Sequence, residues 1–498
     1  MPKPANRTPA SRRVLSVVRD VFGVTDLRPG QRAVIDSVLA GRHTLAIMPT
    51  GAGKSLCYQV PAMIKPGMTL VVSPLIALMK DQFEKLTALG LEAVQVNSAI
   101  PAGEIRKARR KIGRRAVEFV FTTPEQLASD EVHSLLGGAT VDLLVIDEAH
   151  CISQWGHDFR PAYLESLRAM KTLGHPTVLA LTATAPPEVA DDITRQLNVG
   201  PLHVVNTGVH RPNLRYGVRP VESDLDKDRQ LLQLVRGIDG PTIVYCATIR
   251  HVEHVARQFA LEGLDCVSYH GRLRAADRAA SQDRFMSGDA RLIVATNAFG
   301  MGIDRPDIRA VIHYDLPGSL DVYYQEAGRA GRDGEPAECI LLFQRRDRSL
   351  QSFFLAGKYP TQEDFANLIE VLRHAGDTRV TFDEIRESAP GIAVSKLRVI
   401  LSVFKEARLV RQRQGSRFEL SPRLLTESID PLAQAYEQRR DRDRQKLEQM
   451  VIYGQTALCR TRFLVEALGD QAVPERCETC DNCTGSAVRA AAVAAGAA

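Results

Sequence analysis

What the chain lacks narrows its class first. No uninterrupted apolar run approaches the ~18 residues of a membrane span, so no membrane partner is expected. The opening MPKPANRTPASRR has no apolar segment, which argues against a secretory signal. Charge of one sign does not dominate: 64 Lys and Arg against 59 Asp and Glu leave a net +5. That balance permits a nucleic-acid partner without demanding one, because the placement of charge matters more than its sum. Cysteine comes in an odd number, nine, and five of these (Cys57, Cys151, Cys246, Cys266, Cys339) are scattered, mostly in apolar surroundings. This is no disulfide framework, and a reducing cytoplasm (the nucleoid, in a bacterium) is the expected compartment. Tryptophan occurs once, at Trp155. No internal repeat is visible, and the apolar faces carry no cofactor signal.

What is present is an ordinary globular composition, 44% hydrophobic and 25% charged over 498 residues, enough for three or four domains. Apolar runs alternate with helical patterns between about 44 and 344: TLAIM (44–48), TLVVS (69–73), VEFVFT (117–122), VDLLVI (141–146), TVLALT (177–182), TIVYC (242–246), RLIVAT (291–296), AVIHYD (310–315) and ECILLF (338–343). This is the α/β pattern of parallel sheets. A break near 206–226, containing HRPNLRYGVRP, divides it into two lobes. From 361 the character changes to three helical segments followed by RQRQGSRFELS, a short hairpin around Gly415 and Ser416. Helices followed by a β-ribbon resemble a winged helix; a plain helical insert is the alternative. Residues 431–458 form a charged helix with a solvated face, and the small-residue tail after 484 is expected to be disordered.

The chemistry concentrates at strand ends. The buried run Leu143 to Ile146 ends in Asp147 and Glu148, where ligands of open α/β sheets bind; one acid suits Mg²⁺ and its neighbour suits a water. MPTGAGKS (48–55) follows another strand. It departs from the strict phosphate-loop pattern only in having Met48 where Gly is usual. Thr50, Gly51, Ala52 and Gly53 form the loop, Lys54 reaches the β and γ phosphates, and Ser55 takes Mg²⁺. Past the acids comes an aromatic, basic loop with Trp155, His157, Phe159 and Arg160. It reads as a base-stacking nucleic-acid sensor or, alternatively, as an aromatic mini-core. QEAGRAGRDG (325–334) offers Arg329 and Arg332 from the second lobe, the type of side chain that meets a developing phosphoryl charge. The basic run 107–115 reads as a solvated helix, with phosphate contact or a nuclear address as alternatives. Cys459, Cys477, Cys480 and Cys483, spaced C-x17-C-x2-C-x2-C, suit a structural tetrahedral Zn²⁺ site.

These segments, together with LRPGQ (27–31), SPLIALMKDQ (73–82), TTPEQL (122–127), LTATA (181–185), YHGRL (269–273) and TNAFGMGIDRPDIRAVIHYDLP (296–317), resemble the RecQ family of superfamily-two DNA helicases. The resemblance covers roughly 20–345 and 431–484, and the DEAHCISQWGHDFRP block and the four cysteines are its most specific parts. It implies that Gln31 reads adenine and Arg28 stacks on it, with Val24 standing where many relatives carry an aromatic. It implies Asp147 on Mg²⁺, Glu148 as general base, and His150 linking the nucleotide site to the lobe interface. It gives Trp155, Phe159 and Arg160 the task of coupling DNA contact to hydrolysis. Gly302, Asp304, Arg329 and Arg332 would close the site from the second lobe. Two departures stand out: the winged-helix-like segment precedes the zinc module, and only fifteen residues follow Cys483, so a further helical nucleic-acid-binding domain is not expected.

The expected architecture is α/β: two RecA-like lobes of the P-loop NTPase class, at 21–208 and 209–348 after a flexible 1–20, then a winged-helix-like segment at 355–428, a zinc module at 431–484 and a tail at 485–498. The expected activity is ATP-dependent, Mg²⁺-requiring DNA unwinding with 3′-to-5′ movement on single strands, in recombination and repair. Partners would be single-stranded and junction DNA, with single-strand-binding and repair proteins. An RNA helicase, a translocase that does not unwind, and a non-enzymatic DNA-binding or annealing protein are the alternatives; the Lys54, Glu148 and Arg332 set argues against the last.

Overall fold

The structure is a computed structural model that describes residues 9–485 apart from 99, 115, 128, 130–131, 133–134, 137–138, 154–159, 161, 164–165, 167–172, 301–304, 376–379, 414–416, 422–428 and 471–474. Two compact units divide the chain: residues 1–314, 321–342 and 456–498 in one, and 315–320 with 343–455 in the other.

The first unit contains two sheets. One has seven strands, β1 (Thr44–Ile47), β2 (Met68–Val72), β3 (Ala93–Val96), β4 (Phe119–Thr122), β5 (Val141–Ile146), β6 (Thr177–Thr182) and β7 (His203–Asn206), ordered β3-β4-β2-β5-β6-β1-β7. The pairings are parallel, with Leu45 beside Ala180 and Leu70 beside Leu144. Successive side chains of a strand face opposite ways. Leu45, Leu70, Leu144 and Ala180 therefore join the core on one face, while Ala46, Val71, Val145 and Leu181 join the core on the other. Burial on both faces is why these strands read as continuous apolar runs.

The second sheet has six strands: β8 (Leu214–Pro220), β9 (Thr242–Tyr245), β10 (Cys266–Tyr269), β11 (Leu292–Ala295), β12 (Ala310–His313) and β13 (Ala337–Phe343), ordered β10-β11-β9-β12-β13-β8. Its central pairs are parallel. The helix Asp224–Gly237 starts where Ser223 accepts the Asp226 N–H at 3.1 Å, and the helix Ile249–Leu261 where Thr248 accepts the His251 N–H at 3.0 Å. Each cap contributes about 1 kcal/mol. The short helices Arg460–Ala467 and Asp481–Thr484 belong to the same unit.

The second unit carries helices Asp347–Lys358, Gln362–Ala375, Phe382–Ser388 and Val394–Glu406, and the antiparallel ribbon β14 (Val380–Thr381), β15 (Val410–Arg413) and β16 (Arg417–Leu420), ordered β14-β16-β15. Phe365, Leu368, Leu397, Phe404 and Phe418 form its core. A capping box between Thr381 and Glu384 opens the helix Phe382–Ser388. Helices and ribbon are those expected of a winged helix; Gly415 and Ser416 lie outside the described residues. The helix Asp430–Gln455 buries Leu447, Met450 and Tyr453, and Glu448 and Asp443 pair at the surface with Arg348 and Lys358. Such exposed pairs contribute ~0–1 kcal/mol. Among the described residues, no helix is long and apolar enough to cross a membrane.

Candidate nucleotide site and zinc centre

The carboxyl end of the first sheet gathers the expected chemistry. After β1 the chain turns through Gly51 at φ +83° and Gly53 at φ +75°, backbone that favours glycine. The loop is also crowded: a β-carbon on Gly53 would lie 2.6 Å from Gln31 Nε2. Gln31 donates to the carbonyls of Ala52 at 3.0 Å and Gly53 at 2.8 Å, and its Oε1 accepts the Arg28 N–H at 2.8 Å. Arg28 Nη1 donates to the Gly51 carbonyl. Arg28 and Gln31 thus sit directly on the phosphate loop. Lys54 Nζ donates to the Met48 carbonyl at 3.2 Å. Burial lowers its pKa, opposed by the carboxylates of Glu148 and Asp147 and reinforced by the nearby Arg332. Ser55 directly precedes the helix Leu56–Ala62.

Asp147 directly follows β5, its N–H bonded to the Val72 carbonyl at 2.9 Å. Ser73 Oγ donates to Asp147 Oδ2 at 3.3 Å, and the Tyr163 hydroxyl holds the Asp147 carbonyl at 2.8 Å. Burial and the adjacent Glu148 carboxylate push its acid up to about 7. Glu148 sits at φ +49°, ψ +48°, a left-handed conformation that a non-glycine residue adopts at a cost of about 1–3 kcal/mol and that clusters at functional sites. Its Oε2 is buried, 3.3 Å from His150 Nδ1, and accepts no hydrogen bond among the described residues. His150, buried, reaches Thr182 Oγ1 at 3.1 Å, and Thr182 donates to the Thr184 carbonyl at 2.9 Å. The histidine therefore ties the acid pair to LTATA within the same sheet. Arg160 donates from its backbone to the Cys151 carbonyl at 2.9 Å and from Nη1 to Pro74 at 3.4 Å, joining the loop after the acids to SPLIALMKDQ. Trp155, His157, Phe159, Gly302 and Asp304 lie outside the described residues.

The second sheet meets this site at the phosphate loop. A β-carbon on Gly328 would lie 3.1 Å from Thr50 Cβ, and one on Gly51 would lie 3.1 Å from Arg332 Cγ. Arg329 lies beside Gly300, and its Nε is buried without an acceptor among the described residues. The seam was anticipated through Arg329 and Arg332. Ser73, Tyr163, Thr182, Arg211 and Asn213 were not. Arg211 and Asn213 lie in the stretch that read only as a break between lobes, where HRPN was the available signal. Gly51 and Gly53 give the loop the positive-φ backbone that lets N–H groups face phosphates, Lys54 supplies the cation, and Asp147 with Ser55 supply the oxygen donors that suit Mg²⁺, so this donor set fits both groups.

Cys459, Cys477, Cys480 and Cys483 come together with all four Sγ atoms within 4.8 Å of one another. Thiolates around Zn²⁺ at ~2.3 Å stand ~3.8 Å apart, so the four cysteines fit the metal with no position left for a substrate. The Cys480 N–H and the Thr479 hydroxyl donate to Cys477 Sγ at 3.3 and 3.5 Å, hydrogen bonds that orient the sulfur toward a metal. The module is seated on the rest of its unit. Asp481 Oδ1 holds Arg460 Nε at 2.6 Å and its Oδ2 accepts the Val218 N–H of β8 at 2.8 Å. Asp470 accepts the Val209 N–H at 2.9 Å.

Residues 28–193 match the DEAD/DEAH box helicase family, 226–334 the helicase conserved C-terminal domain, and 417–484 the RecQ zinc-binding family. A probable ATP-dependent DNA helicase RecS of Bacillus subtilis is 39% identical over 409 residues, 80% of this chain and 81% of that protein. The ATP-dependent DNA helicase RecQ of Pasteurella multocida is 41% identical over 344 residues, 68% of this chain but 53% of that protein, so the chain spans about half the length of that relative. Among solved structures, the helicase Lhr of Mycobacterium smegmatis, bound to ssDNA and AMP-PNP, superposes with a TM-score of 0.56 at 21% identity, over 82% of this chain and 60% of that one; this likeness concerns the fold alone. With two helicase sheets, a phosphate loop against which Arg332 packs, a four-cysteine centre and these relatives, the chain belongs to the RecQ family of ATP-dependent DNA helicases.

Proposed function

We propose that the chain hydrolyses ATP at the seam between its two sheets and uses the cycle to move 3′ to 5′ along single-stranded DNA, unwinding duplexes in recombination and repair. The observation that carries this reading is the meeting of Arg332 with the phosphate loop at Gly51, beside Lys54 and the Asp147–Glu148 pair. Lys54 binds the terminal phosphates, and Arg28 and Gln31 orient the adenine end. Glu148, whose buried Oε2 accepts no hydrogen bond among the described residues, takes the proton of the attacking water. Arg329 and Arg332 stabilise the charge that develops on the transferred phosphoryl group. Mg²⁺, held by Ser55 and Asp147, would neutralise phosphate charge.

Arg160 connects the acid pair's loop to Pro74. Trp155, His157 and Phe159, which precede Arg160 in the sequence, are assigned to the sensor that makes hydrolysis respond to DNA, and Gly302 and Asp304 to closure of the site. Each base-pair step lost costs about 1.4 kcal/mol of stacking, well within reach of a nucleotide-driven motor. The division of labour we infer is ATP binding at 21–208, closure and arginine supply at 209–348, duplex contact at 355–428 and structural zinc at 431–484. Single-strand-binding and repair proteins are the expected partners, and the cytoplasm, at the chromosome in a bacterium, the place of action.

The decisive experiment measures phosphate release with single-stranded DNA, RNA or neither, and strand separation on 3′-tailed, 5′-tailed, forked, blunt and four-way DNA with and without ATP. Stimulation by DNA and ATP-dependent opening of 3′-tailed substrates are expected. Equal stimulation by RNA, or hydrolysis without strand separation, would assign the motor to RNA or to translocation alone.

A further inference from the structure

We infer that Arg211 is a positioning residue of the hydrolytic seam: a clasp that sets the Arg329–Arg332 segment at its working distance from the phosphate loop. The inference rests on the motor reading above and adds a residue that reading did not use.

A guanidinium carries five N–H donors in a rigid planar fork. In Arg211 all five are engaged. Nε donates to Asn213 Oδ1 at 3.3 Å; Nη1 to the carbonyls of Thr50 at 2.7 Å and Gly328 at 3.3 Å; Nη2 to the carbonyls of Ala330 at 3.0 Å and Gly331 at 2.7 Å. One side chain thus joins the phosphate loop, the arginine-bearing segment and its own linker. Asn213 completes the grip, its Nδ2 donating to the carbonyls of Gly331 and Glu335, both at 2.8 Å. The base of the clasp is fixed as well: Val209, two residues earlier, gives its N–H to Asp470 and accepts the Tyr324 hydroxyl at 2.7 Å.

Two features separate positioning from direct catalysis. Phosphates are cradled by the N–H groups of such a loop, so a bond to the Thr50 carbonyl leaves that cradle free and clasp and nucleotide can coexist. Arg211 also has no donor left for a phosphate, whereas Arg329 keeps a buried Nε without an acceptor among the described residues. Misplacing a reacting group by ~1 Å costs on the order of 10²-fold in rate, so a clasp that fixes this separation acts mainly on turnover.

The test uses the full chain and two variants. Arg211→Met keeps most of the stem and removes every donor; Arg211→Lys keeps the charge but not the fork. Turnover at saturating single-stranded DNA, KM for ATP and the melting temperature are measured for both and for the parent. We expect kcat to fall on the order of 10²-fold in Arg211→Met and less in Arg211→Lys, with a much smaller change in KM and with the rate losses out of proportion to any change in melting. Parental kcat in Arg211→Met, or rate losses that merely follow the loss of folded protein, overturns the inference. Should Arg211→Met not fold, Arg211→Lys decides alone: reduced kcat at parental melting supports the clasp and parental kcat overturns it. A parent whose hydrolysis ignores DNA overturns the motor reading and the clasp with it, whereas a DNA-responsive parent matched by its variants overturns only the clasp.

Discussion

Arg332 packs across Gly51, close enough that a β-carbon on the glycine would lie 3.1 Å from Arg332 Cγ. The glycine is also held at φ +83°, so two independent constraints keep that position bare. The arrangement brings the charge of the second sheet to the phosphate loop of the first. Truncating Arg332 to Ala should leave ATP binding largely intact and lower DNA-stimulated turnover by roughly 10³-fold or more, the range such arginines contribute in related phosphoryl transfer. Single-turnover hydrolysis with a fluorescent-nucleotide binding control measures it; a rate within about tenfold of the parent would remove Arg332 from the mechanism.

Glu148 is the next prediction. Its left-handed backbone, and a buried Oε2 that accepts no hydrogen bond among the described residues, suit a carboxylate aimed at a water. Glu148→Gln retains the shape and loses the base, so turnover should drop about 10²–10⁴-fold while ATP and DNA still bind. Filter binding alongside phosphate release separates the two effects, and hydrolysis at the parental rate would exclude Glu148 as base.

How far the sequence carried these sites depended on where each strand lies. All nine apolar runs fall on interior strands, β1, β2, β4, β5, β6, β9, β11, β12 and β13. The four strands not read, β3, β7, β8 and β10, are the four edges of the two sheets. An edge strand is covered less and keeps polar or exposed positions, as His203, Val204 and Asn206 of β7 do, so the apolar signal is diluted. The phosphate loop and acid pair were legible because their chemistry resides in side chains at fixed spacing. Arg211 was not: four of its five acceptors are backbone carbonyls, which every residue type supplies equally.

Trp155 tests the coupling. It stands in the sequence between Glu148 and Arg160, whose guanidinium reaches Pro74. Replacing Trp155 by Ala should weaken DNA binding by only the ~1–3 kcal/mol of one stacked base, yet abolish most of the stimulation of hydrolysis by DNA. Full stimulation in the variant would show that the ring is packing and not a sensor. As the chain's single tryptophan, it also reports DNA binding by fluorescence in the parent.

The four-cysteine cluster leads to a stoichiometry and a stability effect. Elemental analysis should return one zinc per chain, and Cys480→Ala, at a fully buried ligand position, should lose it. Because binding of structural zinc contributes on the order of 10 kcal/mol to local folding, the module around 459–484 should become protease-sensitive in the variant. A parent without zinc would reassign the thiols to a metal-free core.

The seat of that module gives the last prediction. Arg460 and Asp481 form an ion pair at 2.6 Å with both side chains buried, and the second oxygen of Asp481 caps the Val218 N–H on β8 at 2.8 Å. Removing one partner of a buried pair strands the other charge at a cost of about 3–5 kcal/mol, whereas removing both can be nearly neutral. Arg460→Met should therefore loosen the module more than Arg460→Met combined with Asp481→Asn, since the amide keeps an acceptor for Val218 without a buried charge. Because melting of the whole chain averages over its domains, hydrogen exchange across Leu214–Pro220 reports on the seat itself. It should quicken most in the single variant, and exchange that is fastest in the double variant would mean that the ion pair stabilises the seat beyond its desolvation cost.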